Sequence, residues 1–320
     1  MALMDGVLII DKPAGLTSHD VVARVRRILG ERAVGHTGTL DPFATGVLVL
    51  LVGRATRLAQ FLSGAEKEYE AVIRLGYATD TGDLTGAPIL NNDEVTKQSE
   101  RSWSSEEIAR GIAGLRGEID QVPPMYSAKK QQGHKLYELA RRGKEVERNS
   151  VRITIHKFET LPHAGLPIKN EDGTWDLAVR VVCSAGTYVR TLAEDLGKRL
   201  GTGAHLAALR RTRAGDFRIT KAITLEDVQR KADEKEIATI LLSMDAALSQ
   251  LAFVHLTAEE ANRTRNGMNV SLGIEAGATW VNGEKIRMRG ADGSLIAVGF
   301  FDAPNQTLHP GVVLTPKNRH

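Results

Sequence analysis

The stretch Gly35-His36-Thr37-Gly38-Thr39-Leu40-Asp41-Pro42 concentrates residue types that can do chemistry. Pro42 disfavours helical geometry at Asp41 and holds it extended. Two glycines within four residues allow backbone shapes closed to other residues. An aspartate presented from such a frame suits a nucleophile or a base. The loop reads equally as a turn in which Asp41 and Thr39 satisfy backbone groups. It is not a phosphate loop, because it lacks the G-x-x-x-x-G-K-[ST] pattern and a lysine to reach a phosphate. His36 and Asp41 lie five apart with no obvious third ligand nearby, which makes a metal site a weak reading.

A second unusual turn is Cys183-Ser184-Ala185-Gly186-Thr187-Tyr188-Val189-Arg190, which joins an alternating strand to a helix. Arg190 at the helix start could keep a buried carboxylate ionised or make a surface ion pair. Tyr188 could likewise serve a site or pack in the core. Composition does not choose between these readings.

Positive charge is concentrated. Residues 110–152 hold ten Lys/Arg against five Asp/Glu, whereas the whole chain has 42 against 39. Such a segment can neutralise phosphates or form a solvated face. Tyr126 and Tyr137 are interleaved with the basic residues and offer stacking surfaces. Pro123-Pro124 opens an excursion that returns at Val151, so the segment reads as a clamp. Arg210, Arg211, Arg213 and Arg218 form a second cluster, opposed only by Asp216.

The elements that must position these residues follow from periodicity. Gly6–Ile10 is a short apolar strand, and Thr17 or Ser18 caps a helix whose Val21, Val22, Val25, Ile28 and Leu29 share one face. Val47–Val52 predicts a buried strand and Tyr69–Leu75 another. Residues 79–92 predict a long loop. Ser104 and Glu107 have capping-box spacing. Val151, Ile153 and Ile155 alternate with polar residues, as do Leu177, Val179, Val181 and Cys183. Thr191–Leu200 predicts a helix, and residues 226–250 an acidic, solvated outer helix. From residue 251, short apolar runs split by glycines indicate a small β-rich domain. The pattern is mixed α and β with many antiparallel strands, not a regular βαβ array.

Composition narrows the class. The chain has 320 residues, with 42% hydrophobic and 25% charged, as an ordinary globular protein has. One cysteine excludes a disulfide framework and a Cys-based zinc cluster. No apolar run reaches membrane-spanning length, and Asp5 interrupts any basic-then-apolar leader, so a cytoplasmic location and no membrane partner are expected.

Gly35 through Leu48 resembles the catalytic-loop motif of the TruB family of tRNA pseudouridine synthases. Four further stretches resemble other motifs of that family, in order: Asp11–Ser18, Lys67-Glu68-Tyr69, Cys183–Arg190 and His205–Arg211. The resemblance implies an α+β fold with a mixed, largely antiparallel sheet and flanking helices. It implies a catalytic domain over residues 1–250, with an RNA-clamping insertion at about 120–150, and a PUA-like RNA-binding domain over 251–320. It implies that Asp41 is catalytic, that Tyr69 stacks on the target uracil, and that Arg190 pairs with Asp41. Tyr188 and Leu209 would line the pocket, His36 would contact nucleotides moved by base flipping, and Lys12 and Pro13 would support the site. Lys129, Lys130, Arg141 and Arg142 are the expected clamp. The implied activity converts uridine 55 of the tRNA T loop to pseudouridine, with a secondary role in tRNA folding. The T-arm of tRNA is then the partner, with no guide RNA, and the protein is expected to act as a monomer. The reaction oxidises nothing and consumes no energy carrier, so no cofactor and no metal are expected. Two neighbours of the site depart from the family pattern: Ala55-Thr56-Arg57 stands where Ala-Thr-Lys is usual, and Ala185 where lysine is frequent.

Overall fold

The computed structural model describes residues 4–89, 102–127, 129–131, 134–136, 139, 146–161, 166–271 and 280–315. Its strands begin with β1 (Gly6–Lys12), β2 (Val34–His36), β3 (Thr45–Val52), β4 (Lys67–Gly76), β5 (Ala78–Thr79) and β6 (Pro88–Ile89). Next come β7 (Gly117–Gln121), β8 (Lys130–Gln131), β9 (His134–Lys135), β10 (Val151–Thr160), β11 (Ile168–Lys169), β12 (Trp175–Cys183), β13 (Gly203–Ala214) and β14 (Phe217–Arg218). The last are β15 (Ala252–His255), β16 (Val270–Ser271), β17 (Lys285–Arg289), β18 (Leu295–Asp302) and β19 (Thr307–Val313). Helices are α1 (Ser18–Leu29), α2 (Ala59–Leu62), α3 (Ser105–Ala113), α4 (Val189–Arg199), α5 (Leu225–Asp233) and α6 (Ala258–Arg265).

The large sheet runs β1-β3-β13-β4-β12-β10-β7, with β2, β11 and β14 attached. Only β13 and β3 pair in parallel along this path. A late strand, β13, is thus inserted between two early ones. Arg211 lies opposite Gly46 of β3 on one side and Tyr69 of β4 on the other. That insertion brings together three motifs far apart in sequence.

β3 is apolar throughout because both its faces are covered. Leu48, Leu50 and Val52 join the core with α1, α3 and α4, while Val47, Val49 and Leu51 join a second cluster containing Val298, Val312 and Leu314. The latter residues belong to or follow the five-stranded sheet β15-β17-β18-β19-β16. Arg287 is buried and donates to the Leu251, Ser249 and Asp245 carbonyls, and Arg289 pairs with the Asp245 carboxylate at 2.6 Å. The small sheet is therefore tied to the large one by apolar packing and by buried arginine contacts.

The sequence-predicted strands begin within two residues of their expected starts. Capping boxes form at Thr17 with Asp20 and at Ser104 with Glu107. Residues 226–250 differ from the expected outer helix. The helix stops at Asp233, and Lys235 takes left-handed backbone at φ 60°. Leu242 then exchanges two backbone hydrogen bonds with Val7, at 2.8 and 2.9 Å. Ile223 does the same for Ile9 and Asp11. The segment instead makes 3-10 turns at Ile237–Thr239 and Ala246–Leu248, and between them Leu242 bridges to the otherwise unpaired edge of β1. The 79–92 loop also contains the short β5–β6 ladder over its described part.

Neither Gly35 nor Gly38 takes a left-handed conformation; Gly46 does, at φ 100°. A Cβ there would overlap the Arg211 backbone, so only glycine permits the β3–β13 approach. Gly46→Ala is expected to cost about 3 kcal/mol of folding stability, read by denaturant melting.

Candidate active site

The loop between β2 and β3 is pinned residue by residue from distant elements. Arg211 of β13 donates to the Gly38 carbonyl at 3.0 Å and the Thr39 carbonyl at 3.3 Å. The buried Ser18 hydroxyl donates to the Leu40 carbonyl at 3.1 Å and accepts from the Leu40 amide at 2.9 Å. The Pro42 carbonyl accepts from the Gly15 amide at 2.8 Å and from Lys12 Nζ at 3.2 Å. The loop geometry is thus imposed from outside, with each such bond worth about 1 kcal/mol.

Asp41 sits at the centre of this cradle. Arg190 at the start of α4 reaches it with Nε at 2.9 Å from one carboxylate oxygen and Nη2 at 3.2 Å from the other. The arginine side chain is 4% exposed and the aspartate 33%. The remaining guanidinium hydrogens go to the Thr81 carbonyl at 2.9 Å and the Tyr126 carbonyl at 2.7 Å. Arg190 therefore makes no surface ion pair; it meets the Asp41 carboxyl inside a cleft. Burial pushes the Asp41 carboxyl above its usual range, Arg190 opposes this most strongly, Asp83 adds to it and Lys12 opposes it.

Asp83 is a second carboxylate near Arg190, at 3.8 Å. It is buried, and its Oδ1 accepts from Thr81 Oγ1, the Thr85 amide and Thr85 Oγ1. Lys12 is fully buried and donates to the Pro13, Leu16 and Pro42 carbonyls. Burial lowers its pKa to about 8. Pro13 itself is exposed and enters the cradle through its carbonyl.

Tyr69 projects from β4 and is 8% exposed, with the Arg211 guanidinium beside its phenol oxygen. Burial pushes its phenol upward. His36 ends β2, edge-on to His19 with ring centroids 5.5 Å apart, and its buried Nδ1 has no hydrogen-bond partner among the described residues. Burial, His19 and Arg211 lower its pKa to about 4, so the ring is neutral near pH 7. Tyr188 is half-buried and lies outside the core cluster; Gln121 holds its backbone, accepting from the amide at 2.7 Å and donating to the carbonyl at 3.1 Å. Leu209 is buried within the core cluster on β13.

The basic segment leaves the large sheet at Gln121 and rejoins it at Val151, which are opposite one another in the β7–β10 ladder. Lys129 is exposed. Lys130 lies in the β8–β9 ladder. Arg141 and Arg142 lie outside the described residues. The second basic cluster is not a free phosphate surface. Arg210 pairs with Asp11 at 2.7 Å, Arg213 with Glu66 and Glu68, and Arg211 is buried. Carboxylates and carbonyls already occupy those three.

Sequence reasoning missed Ser18 as a loop anchor, Asp83, Gln121 and the inward direction of Arg211. For Arg211 a signal existed. Neighbours on a strand face opposite sides of the sheet, so Arg210 and Arg211 cannot both reach the same solvent. For Asp83, in a polar loop, none did.

Two family models match adjoining stretches of the chain. The TruB family pseudouridylate synthase N-terminal domain covers residues 26–189, and the tRNA pseudouridylate synthase B C-terminal domain covers 190–249. The chain is 45% identical over 270 residues to the tRNA pseudouridine synthase B of Geobacillus thermodenitrificans, covering 84% of this chain and 86% of that protein. It is 45% identical over 293 residues to the protein of the same name from Leifsonia xyli, covering 92% and 91%. Among solved structures it resembles a chain of the archaeal box H/ACA Nop10–Cbf5 complex, with TM-score 0.69, 25% identity, and 98% and 87% of the two chains covered. A Cbf5–Nop10–Gar1 complex gives TM-score 0.70 and 28% identity, with 98% and 85% covered.

The Asp41 carboxyl should titrate above the ordinary aspartate value of about 3.9. Removing its cation with Arg190→Met should move that midpoint higher still, because burial then acts unopposed by the strongest counter-charge. Carbon-13 NMR of the labelled carboxyl measures both midpoints; an unmoved or lowered midpoint in the variant contradicts the assignment of Arg190 as the main counter-charge.

Proposed function

The chain belongs to the TruB family and isomerises uridine to pseudouridine in tRNA, and we propose that its target is uridine 55 in the T loop, with Asp41 as the catalytic carboxylate. The observation that carries this reading is an aspartate on an externally pinned loop, charge-balanced by a buried arginine and flanked by Tyr69. Pseudouridine formation breaks the bond from C1′ to N1, turns the uracil and forms a bond from C1′ to C5. The C5 proton leaves and N1 takes one up, so no redox partner enters the balance. Asp41 supplies the carboxyl at this centre, and Arg190 favours its charged form against the upward push of burial.

Tyr69 offers a face for the uracil once it has left its stack, a step that costs a few kcal/mol. Neutral His36, Tyr188 and Leu209 line the remaining wall, and Lys12 and Pro13 hold the loop from beneath. A neutral ring with an unpartnered buried nitrogen suits contact with an uncharged base edge.

A retaining glycosidase would need a second carboxylate about 5 Å from the first and free to act. Asp83 is the near carboxylate, but its oxygens are occupied by Thr81, Thr85 and Arg190. This favours base isomerisation over hydrolysis.

The basic excursion favours a stand-alone enzyme that grips the T-arm without a guide RNA, and that opens and refolds the arm as it works. On this reading residues 1–250 form the catalytic domain, and residues 251–320 a PUA-like domain that adds RNA contacts. The protein acts as a monomer in the cytoplasm, where tRNA is found.

Asp41→Asn should retain T-arm binding and lose release of tritium from C5-labelled uridine; substantial turnover by this variant contradicts the catalytic assignment. A transcript in which only uridine 55 carries label should release it, and one labelled elsewhere should not. Replacing Lys129, Lys130, Arg141 and Arg142 by glutamine should weaken tRNA binding. It should also flatten the salt dependence by about one unit for each phosphate that is no longer neutralised. An unchanged slope would make the segment a solvated face.

A further inference from the structure

We infer that Arg211 is a positioning residue for the isomerisation, a buried bracket that sets the spacing between the Asp41 loop and the Tyr69 ring. The inference rests on the reading above, in which Asp41 and Tyr69 flank the reacting uridine. Arg211 is 2% exposed, and among the described residues no carboxylate pairs with it. Burying an unpaired guanidinium is costly unless hydrogen bonds replace its water. Here the replacements all come from parts of the site. Nε donates to the Val47 carbonyl at 2.7 Å, Nη2 to the Gly38 carbonyl at 3.0 Å and Nη1 to the Thr39 carbonyl at 3.3 Å. The same guanidinium lies beside the Tyr69 phenol oxygen, and Arg211 and Tyr69 are directly opposite in the β13–β4 ladder.

One rigid, planar fork therefore touches both sides of the place where the base must turn. Thr39 lies two positions before Asp41, so a shift of its carbonyl moves the carboxylate. Lysine retains the charge but donates from a single point and cannot span three carbonyls and a phenol. A purely structural residue could have been apolar, as its neighbour Leu209 is. Errors of about 1 Å in such placements can cost about 100-fold in rate.

The test uses the full-length protein and a T-arm transcript. Arg211→Lys should keep the wild-type melting temperature and tRNA affinity, and should lower kcat about 10-fold with little change in KM. Arg211→Met should lower kcat about 100-fold. Wild-type kcat in a folded Arg211→Lys protein overturns the inference. So does a loss of kcat that tracks lost melting temperature and lost tRNA binding, since that marks general destabilisation. Should Arg211→Lys fail to fold, the contact is read from the other side. In protein labelled with nitrogen-15 arginine, Tyr69→Phe should shift the Arg211 guanidinium resonance, and an unmoved resonance overturns the inference. Asp41→Asn is assayed in parallel. If it is active, the underlying reading fails; if it is inactive while Arg211→Lys matches wild type, only the role of Arg211 fails.

Discussion

The structure depends on setting one carboxyl against one buried arginine in a cleft that water only partly reaches. Asp41 loses solvation on burial, and the neighbouring Asp83 adds to the disadvantage of its charge. Arg190 opposes both, and its own burial is tolerated because its remaining donors find oxygens on Thr81, Tyr126 and Asp83. Removing one member of such a pair leaves the other charged and unpartnered, which typically costs about 3–5 kcal/mol. The pair also joins distant stretches of chain. Thr81, Asp83 and Tyr126 contact Arg190, so the loop after β4 and the start of the basic segment are tied to the Asp41 carboxyl.

A loop that must hold a charge in place cannot rely on its own turn chemistry. Here each position from Gly38 to Pro42 is held by a group from elsewhere: Arg211, Ser18, Arg190, Lys12 and the Gly15 amide. The elements that donate them are the first strand and the turn after it, the first helix, the fourth helix and a late strand of the large sheet. The geometry of the loop therefore rests on contacts that the completed large sheet brings together. The parallel β3–β13 contact is the seam of that sheet, and Gly46 is the residue that lets the seam close.

The second sheet is bound by a different logic. Its apolar residues Val298 and Val312 share a cluster with Val7, Val47 and Val49, on the face of β1 and β3 opposite the main core. Arg54 donates to the Leu314 carbonyl at 2.7 Å, and Arg57 reaches the Val313 carbonyl. The strand that follows the Asp41 loop is thus also the floor on which the C-terminal sheet rests.

The sequence by itself determined most of the local elements and brought Asp41, Tyr69 and Arg190 forward as candidates. The apolar run at Val47–Val52, the alternation at Val151–Ile155 and the capping boxes follow from local periodicity and local hydrogen bonding, which a linear reading contains. The types and order of Asp41, Tyr69 and Arg190 were legible because their motifs are local too. Tertiary structure alone decided what each charged residue touches. Arg210 and Arg211 are neighbours in a basic cluster, yet one faces Asp11 near solvent and the other is buried against the Asp41 loop. It also decided that Gly46, not Gly35 or Gly38, is the conformationally required glycine of the loop, and that Leu242, after the helix has ended at Asp233, bridges to β1. Each of these outcomes turns on which strand lies beside which. Insertion of β13 between β3 and β4 brings together residues from opposite ends of the large sheet's sequence, and burial then fixes the partner of each charge.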